Sequence, residues 1–183
     1  AIVPEITKAG GTVDKYMGDG LLALFEMDKP EHSALAGLTA AGNIGVALAR
    51  FNHLLASEGE EPVRIGMGLH TGTVVLGEIG TTENAPRTLI GSAVNAASRL
   101  EAKTKDLGVE LLISEQALQA AGMTAPQEMV QSFTLRGVDH PLRALPVAQA
   151  ASLERLLSAQ TDPETTTFSP AGASQPTQPD TFP

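Results

Sequence analysis

Apolar positions along the first part of the chain switch from a helical to an extended period. Ile2, Ile6 and Ala9 recur at helical spacing and stop at Gly10-Gly11, a helix C-terminal signal. With no cap and too few turns to stand alone, residues 1–9 are predicted to be the end of a longer helix. Residues 12–17 are extended and mixed, whereas Leu21-Leu-Ala-Leu-Phe25 is an unbroken apolar run suited to a strand buried on both faces. Asp19-Gly20 between them is a favoured tight-turn pair, so the pattern predicts a hairpin with a carboxylate at its tip.

Asp28-Lys29-Pro30-Glu31 then combines an N-cap, an early proline and a Glu three residues beyond the cap. Leu35, Leu38, Ala41, Ile44, Leu48, Phe51 and Leu55 form the core face of the helix that follows, up to about Ser57. Val63, Ile65, Met67 and Leu69 alternate, and with residues 73–79 they predict a second hairpin joined through His70-Thr71-Gly72. After a polar loop at 81–86, a short strand at 88–90 leads to Gly91-Ser92, where Ser92 is expected to cap a helix over 93–106. A strand at 109–113, a short helix capped by Ser114, and strands at 133–136 and 142–148 complete the pattern. These elements predict an α+β fold with helices on one face of a mostly antiparallel sheet. One domain over residues 1–150, a short helix at 151–159 and a disordered Pro/Thr/Ser/Gln-rich tail at 160–183 are expected.

Composition narrows the function. At 183 residues and 42% hydrophobic content the chain can bury a core of ordinary size. A net charge of -9 and 3% aromatic residues argue against nucleic-acid binding, although a small anion can bind where the few cations gather. With 0 Cys, thiol-based metal sites and disulfides are excluded and a cytoplasmic setting is expected. Neither an unbroken membrane-length apolar run nor a signal peptide is present, so no membrane segment is expected.

Several polar residues admit two readings on pattern alone. Lys15 and Asp19 suit either a functional hairpin or a solvated turn. Asn95 and Arg99, four residues apart, share a helix face that is either a ligand site or simply the wet side of an amphipathic helix. Thr88 reads as an ordinary strand residue. His32, His53, His70 and His140 lack metal-ligand spacing, and His70 reads as structural.

Three stretches in order resemble the catalytic domain of class III nucleotidyl cyclases: Gly11-Thr-Val-Asp-Lys-Tyr-Met-Gly-Asp-Gly20, Gly68-Leu-His-Thr-Gly-Thr-Val-Val-Leu-Gly77 and Thr88-Leu-Ile-Gly-Ser-Ala-Val-Asn-Ala-Ala-Ser-Arg99. Covering residues 1–148, the resemblance implies a ferredoxin-like core of βαββαβ type lacking its first strand. It also implies a head-to-tail homodimer that converts ATP to 3′,5′-cyclic AMP and pyrophosphate with two Mg²⁺ (or Mn²⁺). Asp19 matches the second of the family's two metal-binding aspartates; the first belongs about forty residues earlier, outside this chain, so the fragment is expected to be inactive alone.

By the same resemblance, Lys15 contacts adenine, and Thr88 occupies its partner position as in the Thr-bearing subgroup. Asn95 orients the ribose and Arg99 stabilises the α-phosphate in the transition state, while Arg136 matches a late basic residue that contacts the triphosphate. In the head-to-tail dimer, Asp19 serves one site and Lys15, Thr88, Asn95 and Arg99 of the same chain serve the other. A regulatory module upstream is compatible with this reading. A non-catalytic cyclase-homology domain is the alternative; a diguanylate cyclase is disfavoured because the hairpin reads Met17-Gly18-Asp19-Gly20.

Overall fold

A computed structural model describes residues 2–78, 87–134, 140–153 and 155, with the side chains of Glu78, Arg87 and Thr88 outside the description. The expected 160–183 tail, the 81–86 loop and Arg136 lie outside it, as does most of the 151–159 helix.

Helix α1 (Ile2–Lys8) precedes strands β1 (Thr12–Met17) and β2 (Gly20–Leu24), and the long helix α2 spans Pro30–Ser57. Strands β3 (Met67–Leu69), β4 (Val75–Glu78) and β5 (Arg87–Ile90) lead to helix α3 (Ser92–Leu107). Strand β6 (Leu111–Ser114), helix α4 (Glu115–Ala120), strands β7 (Gln131–Phe133) and β8 (Leu142–Val147), and a 3-10 turn at Ala150–Ser152 follow. The main sheet has the order β3-β6-β8-β7, while β1-β2 and β4-β5 form separate two-stranded ribbons. Among the described residues only β3 and β6 pair in parallel, so the α+β class with a mostly antiparallel sheet is as expected.

Helices cover both faces of the main sheet. Leu111, Ile113, Leu145 and Val147 pack with Leu38 and Ala41 of α2 and with Ala117 and Leu118 of α4. Leu112, Leu142, Ala144 and Phe133 pack with Ala96 and Leu100 of α3 on the other side. This two-sided burial explains why β6 reads Leu-Leu-Ile rather than alternating apolar with polar. Helix α2 is long and apolar enough to cross a membrane by length and composition, with a hydropathy of 1.3 in its best window. A search for an unbroken apolar run overlooks it; here Ala34, Leu38, Ala41, Ile44 and Leu48 are buried in the core, whereas Leu35 and Phe51 of the expected core face are exposed.

The second expected hairpin does not form. Met67, Gly68 and Leu69 pair in parallel with Leu111, Leu112 and Ile113, whereas β4 pairs antiparallel with β5. Alternation gave β3 its faces correctly but could not name its partner, which is remote in sequence. The faces divide cleanly: Met67 and Leu69 pack on the α2 side, while Gly66 and Gly68 meet α3. A Cβ on Gly68 would collide with Ala97 O and lie 2.5 Å from Glu101 N and 3.0 Å from Leu100 Cβ. Strand and helix thus meet backbone to backbone, a separation only glycine permits.

Other local expectations shift by a residue or a partner. The N-cap of α2 is Lys29, which has no capping side chain. Asp28 instead accepts from His32 Nδ1 at 2.7 Å, a bond that holds its carboxyl below the ordinary carboxylate range. Strand β2 is half-buried along Leu21–Leu24 rather than buried on both faces, because its ribbon pairs with no third strand among the described residues. Strand β7 begins at Gln131, ahead of the strand expected at 133–136, and shares Phe133 with it; residues 135 and 136 lie outside the description. Ser114 caps α4 as expected: its Oγ accepts from Ala117 N at 3.2 Å, and the residue is wholly buried.

Candidate active site

The hairpin puts its carboxylate at the tip, one residue off the expected turn. Met17 pairs with Gly20, so Gly18-Asp19 is the two-residue loop. Gly18 takes φ 64 while Asp19 stays at negative φ, the sign pattern that a glycine in the first loop position favours. Asp19 is exposed, and no hydrogen bond or ion pair to another described residue occupies its carboxylate. Lys15 lies on β1, half-buried, with Nζ 3.2 Å from Asp14 Oδ2.

That contact depends on an irregularity in β1. Val13 pairs with Ala23 and Lys15 with Leu22, leaving Asp14 as an extra residue with no cross-strand partner. Neighbouring side chains on a regular strand point to opposite faces. A bulge re-aims one of them, and here Asp14 and Lys15 meet. The Asp14 side chain is only 9% exposed. Its Oδ2 has no aligned hydrogen-bond donor among the described residues, so the Lys15 ammonium makes an ion pair with it and not a directed hydrogen bond. Sequence reasoning passed over Asp14; the available signal was a buried-strand position given to a carboxylate directly before a lysine.

The second group of residues sits where β5 runs into α3. Thr88 pairs through its backbone with Gly77; its side chain lies outside the description. The N-cap of α3 is Gly91, with no capping side chain, so Ser92 is the first helical residue and not the expected cap. A Cβ on Gly91 would lie 2.9 Å from Thr73 O, so the β5–α3 junction also packs tightly on the preceding loop. Ala93, Ala96, Leu100 and Thr104 form the buried face of α3. Asn95 and Arg99 stand on its exposed side, one turn apart. Leu89, Ile90, Gly91, Ser92, Val94 and Asn95 line an open concavity of about 410 Å³ at this junction.

His70, at the end of β3, approaches the same junction: a Cβ on Gly72 would lie 3.5 Å from His70 Nε2 and 2.9 Å from Ala93 Cβ. Burial pushes its imidazole below the ordinary value of 6.5, and Nδ1 is buried without a partner among the described residues. No group of three or more potential metal-ligating side chains occurs among the described residues. At the hairpin tip Asp19 offers one exposed hard oxygen donor suited to Mg²⁺, which needs only one or two protein carboxylates when phosphates and water complete its shell.

The structure therefore places the candidate residues in two groups: Lys15 and Asp19 on the hairpin, and Asn95 and Arg99 on α3, which follows the strand carrying Thr88. No hydrogen bond or ion pair among the described residues joins them. The chain belongs to the adenylate and guanylate cyclase catalytic domain family, whose model matches residues 9–141.

It is 36% identical over 152 residues to an adenylate cyclase from Anabaena cylindrica, covering 81% of this chain and 28% of that protein. It is 30% identical over 140 residues to the terminal-differentiation-specific adenylate cyclase of Dictyostelium discoideum, covering 74% of this chain and 6% of that protein. The chain thus spans under a third of these relatives. The crystal structure of the guanylyl cyclase Cya2 superposes with a TM-score of 0.68 at 30% identity, covering 81% of this chain and 75% of that one. The adenylyl cyclase CyaB from P. aeruginosa shares the fold, with a TM-score of 0.64 at 22% identity over 80% of this chain and 76% of that one.

Proposed function

We propose that the protein is an adenylate cyclase, cytoplasmic in its catalytic part and active as a head-to-tail homodimer, which forms 3′,5′-cyclic AMP and pyrophosphate from ATP. The observation that carries the choice of base is Lys15. An ammonium has three donors and no acceptor, so it suits the acceptor N1 of adenine better than the protonated N1 of guanine. Thr88, on β5 of the other ribbon, carries a hydroxyl that both donates and accepts. The family includes both adenylate and guanylate cyclases, so this pair bears the weight of the assignment.

In the reaction the ribose 3′-oxygen attacks the α-phosphorus, its proton leaves to solvent, and the bond to the β-phosphate oxygen breaks. Asn95 orients the ribose through its amide. Arg99 sets a planar, permanently charged fork against the α-phosphate oxygens, where charge builds up in the transition state. Arg136 adds a second cation toward the triphosphate. Asp19, with a second carboxylate from an upstream strand, would hold two divalent cations, which when bound neutralise the triphosphate and acidify the 3′-hydroxyl. That no hydrogen bond or ion pair among the described residues joins the two groups is compatible with a composite site across two chains.

The test is cyclic nucleotide production by the full-length protein, folded and dimeric, with ATP or GTP and Mg²⁺ or Mn²⁺. Cyclic AMP in large excess over cyclic GMP is expected. A preference for GTP refutes the base assignment, and no product from either nucleotide favours a non-catalytic homology domain.

A further inference from the structure

Asp14 is a buried carboxylate that the proposed reaction does not use. Its side chain is 9% exposed, and Oδ2 has no hydrogen-bond donor. The Lys15 ammonium 3.2 Å away is its only ion-pair partner among the described residues. A carboxylate shielded from water at this level is costly unless a cation faces it. The contact exists because β1 carries one residue too many between Val13 and Lys15. In a regular ladder the two side chains would point to opposite faces. The bulge thus has a specific product: a lysine whose head group is tethered, although its side chain remains 39% exposed.

We infer that Asp14 is a positioning residue for base recognition: its buried carboxylate holds the Lys15 ammonium in a fixed place from which it meets the nucleobase. This rests on the reading of Lys15 as the base-contacting residue. A free lysine side chain loses considerable rotamer entropy on fixing, and a tether formed before substrate arrives removes part of that cost from binding. The ion pair is off the hydrogen-bond line, so the ammonium keeps donors for an incoming acceptor. The arrangement also makes position 15 sensitive to charge. A carboxylate there would stand beside a second, buried carboxylate, so exchange of Lys15 for Glu carries a penalty while Asp14 is present.

The experiment compares Asp14→Asn, Lys15→Met and the double variant in the full-length protein, with kinetics on ATP and GTP and thermal melting. Asp14→Asn keeps the shape of the side chain and removes the charge. It should raise KM for ATP by about three- to tenfold, discounted for the half-exposed lysine, and leave kcat within about twofold. The ratio of ATP to GTP efficiency should fall by the same factor. Added to Lys15→Met, it should change neither quantity further. Melting should reverse in sign: Asp14→Asn lowers the melting temperature of the parent but raises that of Lys15→Met, where the buried carboxylate has lost its cation.

Additive kinetic effects, a loss confined to kcat, or a melting shift of the same sign in both backgrounds would overturn the inference. A folded parent inactive on both nucleotides would instead refute the cyclase reading and with it the role in base recognition. The sign of the melting shifts would still decide whether Asp14 and Lys15 are paired.

Discussion

Replacing Gly68 with Ala should damage stability and catalysis together, through one contact. The added Cβ would overlap Ala97 O and stand 2.5 Å from Glu101 N and 3.0 Å from Leu100 Cβ. Separations between non-bonded carbon atoms settle at about 3.5–4.0 Å, so α3 must retreat from β3 by roughly 1 Å. Backbone on both sides leaves no rotamer to absorb the overlap. The cost should reach the upper part of the overpacking range, about 3 kcal/mol. At about 2–4 °C per kcal/mol for a domain of this size, the melting temperature should fall by roughly 6–12 °C.

Because α3 also carries Asn95 and Arg99, the same shift misplaces both groups, and a 1 Å displacement of positioned groups can cost about a hundredfold in rate. Thermal unfolding and cyclase kinetics on the full-length protein measure the two effects. Gly77→Ala is the control, since its Cβ would meet nothing within 4 Å. A Gly68→Ala protein that melts within about 2 °C of the parent would refute the backbone-to-backbone packing. One that is destabilised but keeps its full kcat/KM would detach α3 from the reaction.

Three further outcomes follow from features already described. His70 is kept neutral by burial, with its folded pKa below its unfolded value near 6.5. The unfolded chain therefore takes up the proton first, and the contribution of His70 is complete above that pH and lost as pH falls below it. His70→Gln should flatten the acid side of the melting-temperature profile, and an unchanged slope would show that another group sets it. Ser114→Ala removes the cap of α4 from a wholly buried site and should cost about 1–2 kcal/mol in denaturant titration; a neutral result would mean that Ala117 N finds another acceptor. Asp19→Ala and Lys15→Ala, each crippled alone, should recover activity when mixed as full-length proteins, because one composite site of the heterodimer is intact; silence from verified heterodimers would return both residues to a single local site.

The parts of this structure that could be read from sequence are those set by neighbours along the chain. Gly10-Gly11 after Lys8 marked a helix end, the 3.6-residue period marked α2, and the Ser114 cap was visible from one hydroxyl before a short helix. What failed was long-range or turned on a single residue. Nothing in Val63 to Leu69 announces that β3 will lie parallel to Leu111–Ile113, and the nearer strand-like run made a false hairpin attractive. Asp19-Gly20 looked like the turn because both types tolerate positive φ, yet Gly18 is the residue that adopts it. The same limit applied at the site. Lys15, Asp19, Asn95 and Arg99 stood out as candidates by motif, but Asp14 did not, because its contact with Lys15 depends on a bulge that exists only once β1 and β2 are in register.

The division of the strands into one four-stranded sheet and two ribbons has a practical consequence for handling the protein. Among the described residues the outer edges of β2 and β3 carry unpaired amide and carbonyl groups, beside half-buried Leu22, Leu24, Met67 and Leu69. Such edges are templates for strand addition between copies. At high concentration this chain by itself can therefore associate through its backbone, whatever its catalytic partner surface does. Self-association of that kind has no closed symmetry to stop it and grows with time. Growth of the isolated domain beyond a dimer in solution is then a sign that such edges are uncovered.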